Sequence, residues 1–338
     1  MKTFIKGNLK KIICPFLYYT GYFDHRLSKQ KERAIILMYH RIHEKGDGVG
    51  VNKCTFERQM EFIKKKMTHI PLTDISDWLL KRKPIPPRAI AITFDDGYED
   101  NFTNAYPILR EFKIPATIFL TTGQIESTKI FWWDKVNEII RKTKKPFIHL
   151  KDFQDFIGDG YMHSAESIRL NTMKEKKYAM NTIQEFFKTF EYSMINDAVA
   201  LLQKTLDVEE REIESPPMLN WRQIREMSNN GIDFGAHTVT HVNLAEAGAK
   251  EAKNEIITSK ESIEEKINRS VQGFAYPYGL KRNYNNTIIN MAVEAGFKYA
   301  CTAEKGITLP KDKLYELPRI SLSNAQLPLS LWSIFKHI

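Results

Sequence analysis

Two short clusters carry side chains that can act together: Thr93-Phe94-Asp95-Asp96-Gly97 and His237-Thr238-Val239-Thr240-His241. They offer two carboxylates and two imidazoles, enough to hold one divalent metal and leave one carboxylate over. That set suits hydrolysis of an unreactive amide or ester: a metal lowers the pKa of its bound water, and a spare carboxylate takes the proton. Asp-Gly alone is an ordinary turn dipeptide. Here it directly ends the apolar run Ala89–Phe94, which puts both acids at the mouth of a buried strand. Neighbouring residues on a strand end point different ways, so one acid can bind metal while the other faces substrate. The two histidines lie four residues apart, a spacing expected to put both rings on one face of a helical turn, within reach of one ion. No His-Glu-x-x-His is present, and two histidines with one carboxylate is also the ligand set of Fe(II) oxygenases. Gly-x-Ser-x-Gly, a Gly-rich phosphate loop and a nucleotide fingerprint are all missing, which argues against a serine hydrolase or a nucleotide enzyme.

The elements that must position these residues read as alternating strands and helices. Apolar, β-branched runs predict strands at 34–39, 89–94, 117–120, 232–236, 273–276, 299–301 and 317–322. Amphipathic periodicity predicts helices at 56–67, 106–112, 221–230, 245–267 and 286–295, with Gly231 and Gly296 as helix stops. Such alternation means a parallel sheet, open or closed into a barrel. Polar residues follow the strands: His40, Asp95 and Asp96, His237, Tyr278, Thr302 and Glu304, Ser321 and Ser323. Parallel barrels build their active sites at those C-terminal strand ends. Residues 134–206 show helical periodicity and no strand pattern, and read as a helical insertion that caps the site, binds a partner or fills one side of the fold.

The chain has 338 residues and a net charge of +9. Residues 1–34 carry eight Lys and Arg against Asp24 and Glu32, so +6 of the excess lies there. A basic N-terminal segment, 1–33, suits a solvated tail or peripheral contact with an anionic membrane, and no nucleic-acid partner is expected. The apolar run 12–19 is interrupted by Pro15 and lacks a small-x-small cleavage site, so a cleavable signal is not expected. It is also far shorter than the about 20 residues that span a bilayer. Cys14, Cys54 and Cys301 form no CxxC and no disulfide framework. A cytoplasmic location, or one peripheral to the inner membrane, is the expectation.

In combination and order, the motifs resemble those of polysaccharide deacetylases with a NodB-homology domain, carbohydrate esterase family 4. Residues 93–97 resemble the first family motif, 237–241 the second, and Phe274-Ala275-Tyr276-Pro277-Tyr278-Gly279 the third. Met38-Tyr39-His40-Arg41-Ile42, Phe131-Trp132-Trp133-Asp134 and Leu317-Pro318-Arg319-Ile320 resemble a bacterial branch associated with exopolysaccharide production. The resemblance implies an α/β fold, a distorted (β/α)7 barrel over residues 34–325 with a tail at 326–338, and an enzyme that removes acetyl groups from sugar polymers. It also implies Asp96, His237 and His241 as ligands of one divalent metal, usually Zn²⁺, with Co²⁺, Mn²⁺, Ni²⁺ or Fe²⁺ as alternatives. Asp95 becomes the general base, and the Tyr278 backbone N–H an oxyanion donor. The expected partner is an acetylated polysaccharide or oligosaccharide.

Two departures stand out. The arginine usual in the third motif is replaced by Ala275, and Arg319 is the residue expected to bring a guanidinium near Asp95 instead. The late Leu-x-His motif that supplies the family's general acid is missing; after His241 only His337 remains, so His40 is the candidate for general acid or substrate contact. Trp132, Trp133, Tyr276 and Tyr278 suit either sugar stacking or the core. Hydrolysis of another C–N bond or an O-acetyl ester, and a carbohydrate-binding pseudoenzyme, are the rival readings.

Overall fold

The computed structural model describes residues 13–29, 31–44, 50–156, 167–322, 324–325 and 327–337. Lys2, Lys6, Lys10, Lys11 and Ser323 lie outside the described residues. The chain divides into two compact units, residues 1–126 with 217–338, and residues 127–216.

The first unit is built on seven parallel strands: β1 (Ala34–Tyr39), β2 (Ala89–Phe94), β3 (Ala116–Leu120), β4 (Ile232–Ala236), β5 (Gly273–Ala275), β6 (Tyr299–Lys305) and β7 (Leu317–Ser321). They pair in the order β1-β2-β3-β4-β5-β6-β7, and β7 returns to β1, so the sheet closes into a barrel. The short strand Thr68–His69 pairs in parallel with the first two residues of β2, Ala89 and Ile90, ahead of where β3 begins to pair. β1 and β2 pair in register along their whole length, Ala34 with Ala89 through Tyr39 with Phe94. The distorted (β/α)7 barrel expected from the sequence is the fold observed.

Period-two alternation explains what fills the barrel. Ala34, Ile36, Ala89, Ala91, Ala275, Cys301 and Leu317 belong to one buried cluster with Phe119 and Tyr299. Many of these inward residues are small, which leaves room for the large ones. Gly235 and Gly273 show the fit: a Cβ at Gly235 would lie 2.4 Å from the Phe119 ring, and one at Gly273 2.5 Å from the Tyr299 ring. Leu72, Ile75 and Trp78 join the same cluster as Ala34, Ala89 and Leu317, each the first residue of its strand. The helix Leu72–Leu79 therefore covers the N-terminal mouth, and the opposite mouth carries the polar strand ends.

β6 runs on through Thr302 and Glu304 to Lys305, past a register shift against β7, where the sequence suggested an end at Cys301. The polar residues stay in the strand because Thr302 Oγ1 donates to the Leu317 carbonyl at 3.1 Å. Ser321 likewise closes β7 rather than following it, and Arg319 lies within that strand.

The second unit holds helices Trp132–Lys142, Met173–Phe187 and Ile195–Thr205. It also contains a two-stranded antiparallel pair, Phe147–His149 with Ser167–Arg169, where no strand was expected. Each strand has three residues and a single buried side chain, Ile148 or Ile168, too little for alternation to show in the sequence. Among the described residues no helix is long and apolar enough to cross a membrane.

The Gly235 contact yields a stability prediction. Gly235→Ala forces the added methyl against Phe119 and the Gly273 carbonyl, 2.9 Å away, and should cost about 1–3 kcal/mol, read as a lower denaturant midpoint at unchanged m-value. An unaltered midpoint would show that the barrel wall yields at no cost.

Candidate active site

The first cluster leaves β2 by a sharp change of backbone. Asp95 N–H still donates to the Tyr39 carbonyl at 3.0 Å, one ladder bond beyond the strand. Asp96 and Gly97 then take left-handed conformations, φ +76° and +88°. Asp95 thus keeps the inward parity of Ala89, Ala91 and Thr93, while Asp96 is turned toward the histidines. A Cβ at Gly97 would come 2.9 Å from Leu120 Cδ2, so glycine suits both the φ and the space.

Arg319 reaches Asp95 through the barrel interior. It is 1% exposed. Its Nη1 and Nη2 donate to Asp95 Oδ1 and Oδ2, both at 2.7 Å, a bidentate pair. Nε donates to the Thr302 carbonyl at 2.8 Å and Nη1 also to Thr93 Oγ1 at 3.2 Å. The guanidinium lies over the Phe119 ring, 5.6 Å from its centroid. Burial pushes the Asp95 carboxyl upward, but Arg319, with His237, pulls it lower, to about 2. Asp95 is a fixed carboxylate at neutral pH.

The second cluster follows β4. His237 N–H donates to the Leu120 carbonyl at 2.9 Å, the last β3–β4 bond. The next residues are not helical: Thr238 and His241 are left-handed at φ +64° and +63°. Two such corners, closed by His241 N–H donating to Thr238 Oγ1 at 2.9 Å, bring both rings inward from a loop. The expected helical turn is thereby corrected, although the spacing does bring the rings together.

The ring of His237 is oriented by its Nδ1–Ala275 carbonyl contact of 2.7 Å. With Nδ1 as the donor, Nε2 keeps its lone pair for a ligand role. Asp96 Oδ1 lies 3.7 Å from His237 Nε2 and 3.6 Å from His241 Nε2. All three residues are buried, with candidate ligand atoms within 4.8 Å of one another. Burial lowers the His237 pKa to about 4 and that of His241 well below its ordinary value, so both rings are neutral at neutral pH. Two neutral imidazoles and one carboxylate fit a borderline divalent ion such as Zn²⁺.

Around this centre, His40 Nε2 stands 4.0 Å from Asp95 Oδ2, with about half of its side chain exposed. Its backbone is clamped by the single π-helical turn Asn101–Ala105 and the residue before it. Asn101 Nδ2 donates to the His40 carbonyl at 2.8 Å, Ile42 N–H to Asp100 Oδ1 at 3.0 Å, and Asn104 Nδ2 to the Ile42 carbonyl at 2.7 Å. Tyr278 is left-handed, φ +60°, and sets its ring edge-on to His241 at 4.9 Å. Tyr276 belongs to the core, stacked on Tyr284 at 4.4 Å with its hydroxyl donating to the Tyr315 carbonyl. Within the second unit, Trp132 is buried and packs on Phe187, while Trp133 stacks on Phe131.

Glu255 was missed in the sequence. It is an acid on the buried face of the helix Ala249–Ile267, in line with Ala252, Ile256, Ser259 and Ile263. An acid on an apolar stripe was the available signal. Asp100 gave no such signal, because only the fold brings it to Ile42.

Because burial keeps the histidines neutral, the unfolded chain binds more protons than the native one below their ordinary 6.5. Stability of the metal-free protein should therefore fall as pH drops from 6.5 to about 4. Denaturant midpoints measured across that window should decline in the wild type and decline less in His237→Gln. Equal slopes would mean that His237 is not held neutral.

The profile of the polysaccharide deacetylase family matches residues 82–145 and 181–300, more than half of the chain. A poly-β-1,6-N-acetyl-D-glucosamine N-deacetylase of Staphylococcus aureus (strain MRSA252) is 22% identical over 314 residues, 88% of this chain and 82% of that protein. Among solved structures, the deacetylase PplD of Streptococcus pyogenes in complex with acetate aligns with a TM-score of 0.59 at 20% identity, covering 91% of this chain and 99% of its own. IcaB from Ammonifex degensii aligns at 0.58 and 17% identity, covering 90% and 96%. These structures share the fold. The family match takes in both the Asp-Asp and the His-His clusters, and with them this chain belongs to the polysaccharide deacetylase family, hydrolases of carbon–nitrogen bonds other than peptide bonds.

Proposed function

We propose that the protein removes acetyl groups from the N-acetylated sugars of an exopolysaccharide by metal-dependent hydrolysis. The observation that carries this reading is the pairing of two buried carboxylates with different surroundings. Asp95 is locked to Arg319, and Asp96 faces two neutral imidazoles. Adjacent acids in environments this different suit different tasks. The Staphylococcus aureus relative, named for a poly-N-acetylglucosamine substrate, supports a polymer of that chemistry.

Asp96, His237 and His241 would hold the ion. When bound, the metal supplies a Lewis acid that makes water more acidic and polarises the acetyl oxygen. Asp95 takes the proton from the attacking water; it is ionised and cannot rotate away, because Arg319 grips both of its oxygens. The Tyr278 backbone N–H donates to the oxygen on which negative charge develops, a contribution of roughly 3–4 kcal/mol for such donors. His40, at the solvent edge of Asp95, delivers a proton to the leaving amine. Arg319 restores the guanidinium that Ala275 lacks, which weakens the pseudoenzyme reading.

Two variants test these roles by acetate release from poly-N-acetylglucosamine. Asp95→Asn should retain metal and lose about 10²–10⁴-fold in turnover. It also leaves the buried Arg319 without its counter-charge, so a stability loss of about 3–5 kcal/mol should accompany it, and assays belong at a temperature where the variant is folded. Undiminished acetate release would end the assignment of Asp95 as base. For His40→Ala, loss of a proton donor should abolish the decline of rate at high pH. A pH–rate profile that keeps its alkaline limb would remove His40 from the mechanism.

A further inference from the structure

The loop that carries both histidines is held from outside the ligand set by one buried side chain. Glu255 is 7% exposed and lies in the first half of the helix Ala249–Ile267. Its Oε2 accepts from Val239 N–H at 2.7 Å and from Thr240 N–H at 2.9 Å, and its Oε1 accepts from Thr240 Oγ1 at 2.8 Å. The other side of the loop is held by backbone. Thr122 N–H donates to the Thr238 carbonyl at 3.1 Å and Gly123 N–H to the Val239 carbonyl at 2.8 Å. That approach needs glycine, since a Cβ at Gly123 would lie 2.6 Å from the Val239 carbonyl oxygen. Between His237 and His241, then, both N–H groups of the central residues go to Glu255, and two carbonyls go to residues 122 and 123.

This clamp fixes a loop that would not hold its shape alone. Thr238 and His241 are both left-handed without being glycine, a conformation that persists only where surroundings over-determine it. Release of Glu255 frees the Val239 and Thr240 amides to seek other partners, and the separation of the two imidazoles then varies. We propose that Glu255 is a positioning residue that preorganises His237 and His241 and so sets the affinity of the Asp96–His237–His241 site for a divalent ion. The inference rests on the metal-site reading above.

Supports one residue removed from metal ligands typically change affinity by about 10–100-fold. The test is direct titration of metal-free, full-length protein with Co²⁺, read by its ligand-field absorption, alongside denaturant melts of the same samples. Glu255→Ala should bind Co²⁺ about 10–100-fold more weakly while folded. Glu255→Gln should stay within a few-fold of wild type, because one amide oxygen can accept both N–H groups and the amide nitrogen can donate to Thr240 Oγ1. Glu255→Asp keeps the charge but is shorter by one methylene, so it should weaken binding as alanine does; it gives the same reading where the alanine variant does not fold. Wild-type Co²⁺ affinity in folded Glu255→Ala or Glu255→Asp, even with lowered stability, would reduce Glu255 to a purely structural role and overturn the proposal. Equal weakening in Glu255→Gln and Glu255→Ala would overturn it too, because charge rather than geometry would then be the cause. Failure of the underlying site is distinguishable: wild type would then bind Co²⁺ no better than His237→Ala.

Discussion

The buried ion pair between Asp95 and Arg319 is the interaction on which the rest of the site depends. Moving both charges out of water is expensive, and in a low-dielectric interior a half-satisfied pair is worse than an apolar core. Here both carboxylate oxygens are engaged, and two further guanidinium donors reach Thr93 and the Thr302 carbonyl. The long side chain shares the barrel interior with small buried residues on other strands, Ala91 and Ala275 among them. The core composition and the Asp95–Arg319 pair therefore share one interior.

A second constraint is backbone geometry at the strand ends. Asp96, Thr238, His241 and Tyr278 are all left-handed, an unfavourable state for residues with a Cβ. They follow three different strands, β2, β4 and β5, and converge on one point. The closed barrel makes this tolerable, since its ladder bonds hold each strand end in place before the chain turns. Interactions beyond the ladder complete the hold: the Gly97 carbonyl accepts from Leu219 N–H at 2.9 Å, and Glu255 accepts from the His237–His241 loop. Strain concentrated at one mouth gives side chains directions that a relaxed strand exit does not offer.

Much of the fold was legible because buried strands announce themselves locally. Ala34–Tyr39, Ala89–Phe94 and Ile232–Ala236 have the bounds read from their apolar runs. What escaped was information carried by tertiary contact. The extension of β6 past Cys301 depends on Thr302 bonding to β7, which no local pattern encodes. A four-residue histidine spacing is shared by a helical turn and by a loop with two left-handed corners, and sequence favours the commoner one. Glu255 lies well beyond His241 in the chain, yet bonds the loop between His237 and His241. Arg319 was closer to legible: it shares strand parity with Leu317, an inward residue, so its direction followed from alternation once β7 was recognised.

The position of Arg319 shows what the chemistry constrains. In the related third motif a guanidinium would come from β5, where this chain has Ala275. In a closed barrel, inward side chains from any strand meet in a shared interior, so a carboxylate at the end of β2 can be approached from several strands at one level. The requirement is for two donors in the plane of the Asp95 carboxylate, and β7 meets it as well as β5 would. The exchange is also coupled: a small residue at position 275 leaves volume in the interior, and its backbone carbonyl remains free to orient His237. Replacing Ala275 by arginine would therefore add a second buried cation beside Arg319 with only one carboxylate to share. A missing motif residue is evidence of lost chemistry only when no other strand delivers the same group to the same atoms.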